Sequence, residues 1–90
     1  MRRSVDVRVT GRVQGVSFRY HAEREAVRLG VTGWVRNEPD GSVAAHAEGD
    51  PVAVETFVRW CHDGPRLAYV EHVDVRPTDD QGLTSFRVTG

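Results

Sequence analysis

The sequence contains no lysine, and all 12 of its basic residues are arginine. This absence excludes a lysine nucleophile and a lysine Schiff base. The single cysteine, Cys61, excludes an internal disulfide and fits a reducing compartment. No apolar run is long enough to cross a bilayer, and no apolar leader follows Met1. We therefore expect a soluble, cytoplasmic protein with no membrane partner.

The chain also lacks a large excess of either charge. Its formal net charge is −1 over 90 residues, so no broad basic field would attract nucleic acid by counterion release. Any anion site must be local. The length suffices for one hydrophobic core, which predicts a single domain spanning residues 1–90. The histidines do not have the spacings of zinc ligands, and we expect no metal site; they are His21, His46, His62 and His72.

A turn rich in glycine, residues 11–19 (Gly-Arg-Val-Gln-Gly-Val-Ser-Phe-Arg), separates a predicted strand from a predicted helix. Residues 4–10 alternate apolar and polar side chains, which predicts a strand. Apolar residues recur at helical spacing from Ala22 to Leu29, and Gly30 is a typical helix stop. The first amides of a helix lack carbonyl partners and lie at its positive end, so this turn is a candidate anion site.

Arg19 lies at the start of the predicted helix, where its guanidinium can hold two phosphate oxygens. The backbone amides just before it can surround a third oxygen; they belong to Gln14, Gly15, Val16, Ser17 and Phe18. Ser17 is predicted to be the helix N-cap. An ordinary turn followed by a solvated arginine is an equally acceptable interpretation of this stretch taken alone. Neither a Walker loop nor a Gly-x-Gly-x-x-Gly motif is present.

The remaining pattern predicts strands at 31–37, 42–48, 67–76 and 84–89, and a second helix at 51–62. Asp50 is the predicted cap of this helix, with proline at its first position. The element order is that of an α+β fold, the ferredoxin-like split βαβ sandwich (βαββαβ), with an antiparallel sheet and two helices on one face. The last short strand is expected to extend an edge of that sheet.

Asn37 lies where the second strand ends, and in this topology that end approaches the turn at residues 11–19. Its carboxamide can accept and donate hydrogen bonds, so it can position a water beside a bound phosphate. Asparagine before Glu-Pro-Asp-Gly is also ordinary turn chemistry, which leaves both interpretations open. The carboxylates of Glu23 and Glu25 are expected to be solvated.

Read together, residues 11–19 and the segment Gly-Trp-Val-Arg-Asn at 33–37, followed by Pro-Asp-Gly-Ser-Val at 39–43, closely resemble the two signatures of the acylphosphatase family. The resemblance implies hydrolysis of the carboxyl–phosphate bond of acyl phosphates without metal or organic cofactor. It makes Arg19 the catalytic arginine, Asn37 the catalytic asparagine and residues 14–18 the phosphate loop. Ser17 stands where the family often has glycine or another small residue.

The resemblance also implies a mechanism and partners. The loop and Arg19 would hold the phosphate and stabilise its transition-state charge, and Asn37 would orient the attacking water. The expected partners are a small acyl phosphate and inorganic phosphate as product or inhibitor, with the chain acting as a monomer. Two alternatives are a sensor that binds acyl or carbamoyl phosphate without turnover and an RNA-recognition module. The intact Arg19 and Asn37 argue against the sensor, and the absent basic-aromatic strand signature argues against RNA binding.

Overall fold

The computed structural model describes residues 1–90, with five strands and two helices. The elements in chain order are β1 (Arg3–Arg12), α1 (Phe18–Leu29), β2 (Thr32–Asn37), β3 (Val43–Gly49), α2 (Pro51–Asp63), β4 (Tyr69–Pro77) and β5 (Phe86–Val88). Asp50 caps α2 as predicted, its carboxylate accepting the amides of Val52 and Ala53. Neither helix combines the length and apolar composition needed to span a membrane.

The strands form one sheet in the order β4-β1-β3-β2-β5. The pairs β1–β3, β1–β4 and β2–β3 are antiparallel, whereas β5 pairs with β2 in parallel. One core cluster joins both helices to the same side of the sheet; its members include Val5, Val7, Ala22, Ala26, Val54 and Phe57. The predicted ferredoxin-like fold is confirmed, and the last strand does extend an edge. The sheet is mixed, however, rather than wholly antiparallel.

The direction of β5 follows from the loop that leads to it. Residues 78–85 carry the chain from β4 at one edge of the sheet to β5 at the other. Midway, the buried carboxylate of Glu48 accepts the backbone amides of Gln81 and Leu83, each at 2.8 Å. The His46 Nε2 atom lies 2.7 Å from the same carboxylate. These bonds fix the loop across the end of β3, so β5 enters the sheet alongside β2.

The ionised form of Glu48 is favoured in the folded chain. Burial alone would raise its pKa, but hydrogen bonds from the Gln81 amide, His46 and the Leu83 amide outweigh burial and lower the pKa to about 2. Arg2 and Asp80 are the other charged groups at this carboxylate. Because the folded pKa lies below the unfolded value, Glu48 stabilises the fold above the unfolded pKa of 4.5. That stabilisation is lost as the pH falls towards 2.

We expect Glu48→Gln to lower the free energy of unfolding at pH 7 by roughly 1–3 kcal/mol, because an amide cannot accept both loop amides and the imidazole. The difference from the wild type should shrink as the pH falls from about 5 towards 2, where the carboxylate's contribution decays. Urea unfolding at several pH values measures both effects. The control is Glu55→Gln, an exposed carboxylate on α2 that pairs only with Arg59. Equal losses in the two variants would contradict the role given to Glu48.

The topology brings three chain segments to one end of the sheet. Strands β1 and β2 both run antiparallel to β3, so they run parallel to each other and end on the same side. Strand β5 runs in the same direction, since it pairs with β2 in parallel. The turn after β1, Asn37 at the end of β2, and the residues that follow β5 therefore converge there.

Candidate active site

The turn at residues 13–17 is held by apolar side chains that point into the core. Val13 and Phe18 are buried, and the Phe18 ring packs 5.2 Å from the ring of Trp60 on α2. Val16 packs against the edge of the same cluster. Between them, Gly15 has a φ of +74°, a left-handed conformation that glycine adopts without a steric penalty. With its side chains anchored inward, the turn exposes its backbone.

The backbone amides of this turn have no hydrogen-bond partner in the protein. None of residues 14–17 donates a backbone hydrogen bond, and the first amide of the region to do so is His21, which bonds the Ser17 carbonyl at 3.1 Å. Free amides at the start of α1 combine with the positive end of the helix dipole. The result is a cradle of donors suited to an anion.

The Gln14 side chain ties this turn to the neighbouring one. Its Nε2 atom donates to the carbonyls of Glu38 at 2.8 Å and Ser42 at 2.9 Å, on either side of the β2–β3 turn. Within that turn, the Ser42 hydroxyl and amide donate to Asp40 and lower the pKa of its carboxyl. Gln14 thus fixes the position of the loop relative to Asn37, one residue before Glu38.

Replacement of Gln14 by alanine should loosen this connection. We expect the free energy of unfolding to fall by roughly 1–3 kcal/mol, because two hydrogen bonds are lost, although the Glu38 and Ser42 carbonyls each keep one backbone donor. The inhibition constant of inorganic phosphate should rise as the loop becomes less ordered. Chemical unfolding and phosphate inhibition measure the two effects. Gln81→Ala is the matched control, since that side chain is exposed and makes no hydrogen bond; similar losses in both variants would remove the special role of Gln14.

Arg19 and Asn37 meet at a common backbone group. Arg19 is the second residue of α1, and its Nη1 atom donates to the Gly90 carbonyl at 2.7 Å. The Asn37 amide bonds the same oxygen at 3.4 Å. No Asp or Glu side chain lies within ion-pair distance of Arg19. The contact with Gly90 orients the guanidinium and leaves its other N–H donors available.

A cavity of about 480 Å³ opens at this end of the sheet. It is lined by Val13, Gly15, Ser17, Phe18, Arg19, Tyr20, Glu23, Asn37 and Val88. The structure therefore brings five of the predicted site residues to one cavity, namely Gly15, Ser17, Phe18, Arg19 and Asn37. Gln14 and Val16 do not line it, since the first binds the adjacent turn and the second packs against the core.

The predicted N-cap position of Ser17 is confirmed, but the side chains of Ser17, Glu23 and Glu25 do not behave as expected. Ser17 occupies the N-cap position of α1, but its side chain makes no capping bond and its φ of 65° is left-handed. The departure from helix-cap geometry follows from the tight turn, and a left-handed φ is a conformation that favours glycine. Glu23 is half-buried in the cavity wall rather than solvated, because it lies one helical turn after Arg19. Glu25 is half-buried as well and pairs with Arg28.

The histidines and Cys61 make contacts outside the cavity or within the core. His21 is exposed, and its Nδ1 atom lies 2.9 Å from the Ser17 carbonyl. His46 is buried between the carboxylates of Asp6 and Glu48. Cys61 is buried in the core, which raises the pKa of its thiol and makes it a poor nucleophile. No cluster of three or more His, Cys, Asp or Glu side chains could hold a metal ion.

The sequence did not reveal the contributions of Tyr20, Val88 and Gly90. On a helix Glu23 is a neighbour of Arg19 at i+4 and of Tyr20 at i+3, so spacing alone contained a signal that links Glu23 and Tyr20 to this region. Gly90 lies 71 residues from Arg19 in the chain, and no local pattern indicates such a contact. Val88 reaches the cavity only because the loop at 78–85 sets the direction of β5.

A ferredoxin-like sandwich with an anion cradle, an arginine and an asparagine at one end of its sheet defines a class of small phosphate-handling proteins. The acylphosphatase family model matches residues 5–88, and the chain belongs to the acylphosphatase family. Its curated relatives carry the name acylphosphatase, and this chain is an enzyme.

Individual relatives agree with the family assignment. An acylphosphatase from a Nocardioides species is 78% identical over 88 residues, covering 98% of this chain and 89% of the relative. An acylphosphatase from Thermococcus kodakarensis is 54% identical, covering 93% of this chain and 92% of the relative. The crystal structure of acylphosphatase from Bacillus subtilis superposes with a TM-score of 0.95 at 34% identity, over 100% of both chains.

Proposed function

We propose that this acylphosphatase hydrolyses the carboxyl–phosphate bond of a small acyl phosphate at the cavity described above, releasing a carboxylate and inorganic phosphate. One observation carries the assignment of the site: the amides of residues 14–17 have no partner in the protein, and two of these residues, Gly15 and Ser17, line the same cavity as Arg19 and Asn37. A phosphoryl group needs several donors directed at its oxygens, and these groups supply donors that no other protein group occupies.

In this proposal the phosphate binds with its oxygens on the loop amides and on Arg19. Phosphoryl transfer passes through a loose transition state whose charge spreads over the equatorial oxygens, so fixed donors stabilise it more than the ground state. The guanidinium is permanently charged and planar, which suits two of these oxygens at once. Binding and transition-state stabilisation are therefore assigned to the same groups.

Asn37 is proposed to orient the attacking water. Its carboxamide can accept a hydrogen bond from the water and keep the oxygen in line with the departing carboxylate. Water attacks phosphorus, the bond between phosphorus and the acyl oxygen breaks, and a phosphate oxygen takes the water's proton. The carboxylate is a good leaving group, so the step requires neither a general acid nor a strong base. The site proposed here uses no metal or organic cofactor.

Hydrolysis of benzoyl phosphate, measured with and without a metal chelator, tests the function. We expect rapid turnover that the chelator does not change and that inorganic phosphate inhibits competitively. Tight binding of the substrate without turnover would contradict the enzymatic function and favour a sensor. Turnover abolished by the chelator would overturn the cofactor-free mechanism.

We also propose that the chain works as one domain and as a monomer in the cytoplasm. All of the groups assigned to the site come from a single copy of the chain. The buried, unpaired Cys61 suits a reducing compartment. Sedimentation at assay concentration tests the monomer, since a dimer with higher activity per chain would contradict it.

A further inference from the structure

The cavity extends beyond the groups assigned to phosphate. Past Arg19 its wall continues over Tyr20 and Glu23 on α1 and Val88 on β5. Resting on the proposed function, we infer that these three residues form an acyl subsite that selects uncharged, apolar acyl groups and rejects acyl groups that carry a second carboxylate. Tyr20 and Val88 favour apolar acyl groups, and Glu23 disfavours acyl groups that carry a negative charge.

Tyr20 and Val88 provide apolar surface that the protein itself leaves uncovered. The exposed fractions of the two residues are 55% and 40%. The Tyr20 ring is held in place, because His21 packs edge-on at 5.2 Å and the Arg24 guanidinium lies 5.7 Å from the ring centroid. An ordered aromatic face beside a binding cavity gains favourable contact when an apolar group covers it. The acyl chain is the part of the substrate available to do so.

Glu23 gives the subsite its charge selectivity. It is half-buried in the cavity wall, and it makes neither a hydrogen bond nor an ion pair with any arginine. By contrast, Glu25 on the same helix is neutralised by two bonds from Arg28. An unpaired carboxylate repels a like charge on the ligand, and a partly buried position weakens the screening of that repulsion. Rejection of a competitor by a built-in unfavourable contact is a common source of specificity.

The charge selectivity is tested with two substrates that differ only at the far end of the acyl chain, butanoyl phosphate and succinyl monophosphate. The wild type is expected to have the higher kcat/KM for butanoyl phosphate. Glu23→Gln should reduce this preference by about three- to tenfold, mainly by lowering KM for succinyl monophosphate. Glu25→Gln is the matched control, because it removes the same charge from the same helix outside the cavity. It should leave the preference unchanged.

The apolar contact is tested with benzoyl and acetyl phosphate. Tyr20→Ala should lower kcat/KM for benzoyl phosphate about tenfold more than for acetyl phosphate, which is too short to cover the ring. Tyr69→Ala removes an exposed tyrosine outside the cavity and serves as the control.

The outcomes separate this inference from the function on which it rests. Hydrolysis of all four substrates, with preferences that neither Glu23→Gln nor Tyr20→Ala changes, would overturn the acyl subsite and leave the proposed function intact. A wild type that hydrolyses none of them would overturn both. If Glu25→Gln changed the substrate preference as much as Glu23→Gln does, the selectivity would come from the overall charge of the protein. That result would also overturn the subsite.

Discussion

Arg19→Ala is expected to abolish nearly all hydrolysis of benzoyl phosphate, lowering kcat/KM by about 10³-fold or more, as for other arginines that stabilise a transferring phosphoryl group. The reason is that Arg19 is the only side-chain cation that lines the candidate site. The phosphate inhibition constant should rise as well, because the same guanidinium binds the ground-state phosphate. Steady-state kinetics and phosphate inhibition measure the two losses.

Arg19→Lys distinguishes the geometry of the guanidinium from its charge. An ammonium group keeps the charge but cannot hold two oxygens in a planar fork, so the lysine variant should recover little of the lost activity. Arg28→Ala is the control for helix integrity, since Arg28 is exposed in the last turn of α1 and pairs only with Glu25. Wild-type turnover in Arg19→Lys would mean that charge alone suffices.

Local sequence signals predicted most of the helices and strands, because interactions between residues close in the chain determine where these elements begin and which face they bury. Asp50 followed by proline predicts the start of α2, and the free side-chain oxygen does bond the first amides. The alternation in residues 4–10 predicts β1, whose valines are buried on one face. The direction of β5 could not be predicted in this way, because it depends on the contacts of Glu48 with Gln81 and Leu83, more than 30 residues away in the chain.

The candidate site likewise contains features that follow from the fold topology and features that depend on particular long-range contacts. The approach of Asn37 to the loop at residues 14–18 was predictable, since it follows from the fold topology. The anchoring of that loop by the Gln14 side chain was not, because a glutamine in a turn has many possible partners. Glu23 was assigned to solvent because charged residues on a helix usually lie there. The structure instead places this side of α1 in a cavity wall, across from Asn37 on β2 and Val88 on β5.

Asn37→Ala is the second variant with a large expected effect, and it should separate binding from turnover. If the carboxamide orients water, kcat should fall by about 10²-fold or more, as expected when an attacking group loses its alignment. The phosphate inhibition constant should stay close to that of the wild type, because the loop amides and Arg19 remain in place. Thermal unfolding provides the check on folding, since Asn37 also contributes backbone bonds at the end of β2.

The pair of variants therefore assigns each role independently. Arg19→Ala should impair both phosphate inhibition and turnover, whereas Asn37→Ala should impair turnover alone. A rise in the phosphate inhibition constant of Asn37→Ala as large as that of Arg19→Ala would make Asn37 a phosphate ligand. Because the main-chain amide of Asn37 bonds Gly90, its side chain is not needed for that contact, and the alanine variant keeps it. A loss of turnover in Asn37→Ala thus reports on the carboxamide itself.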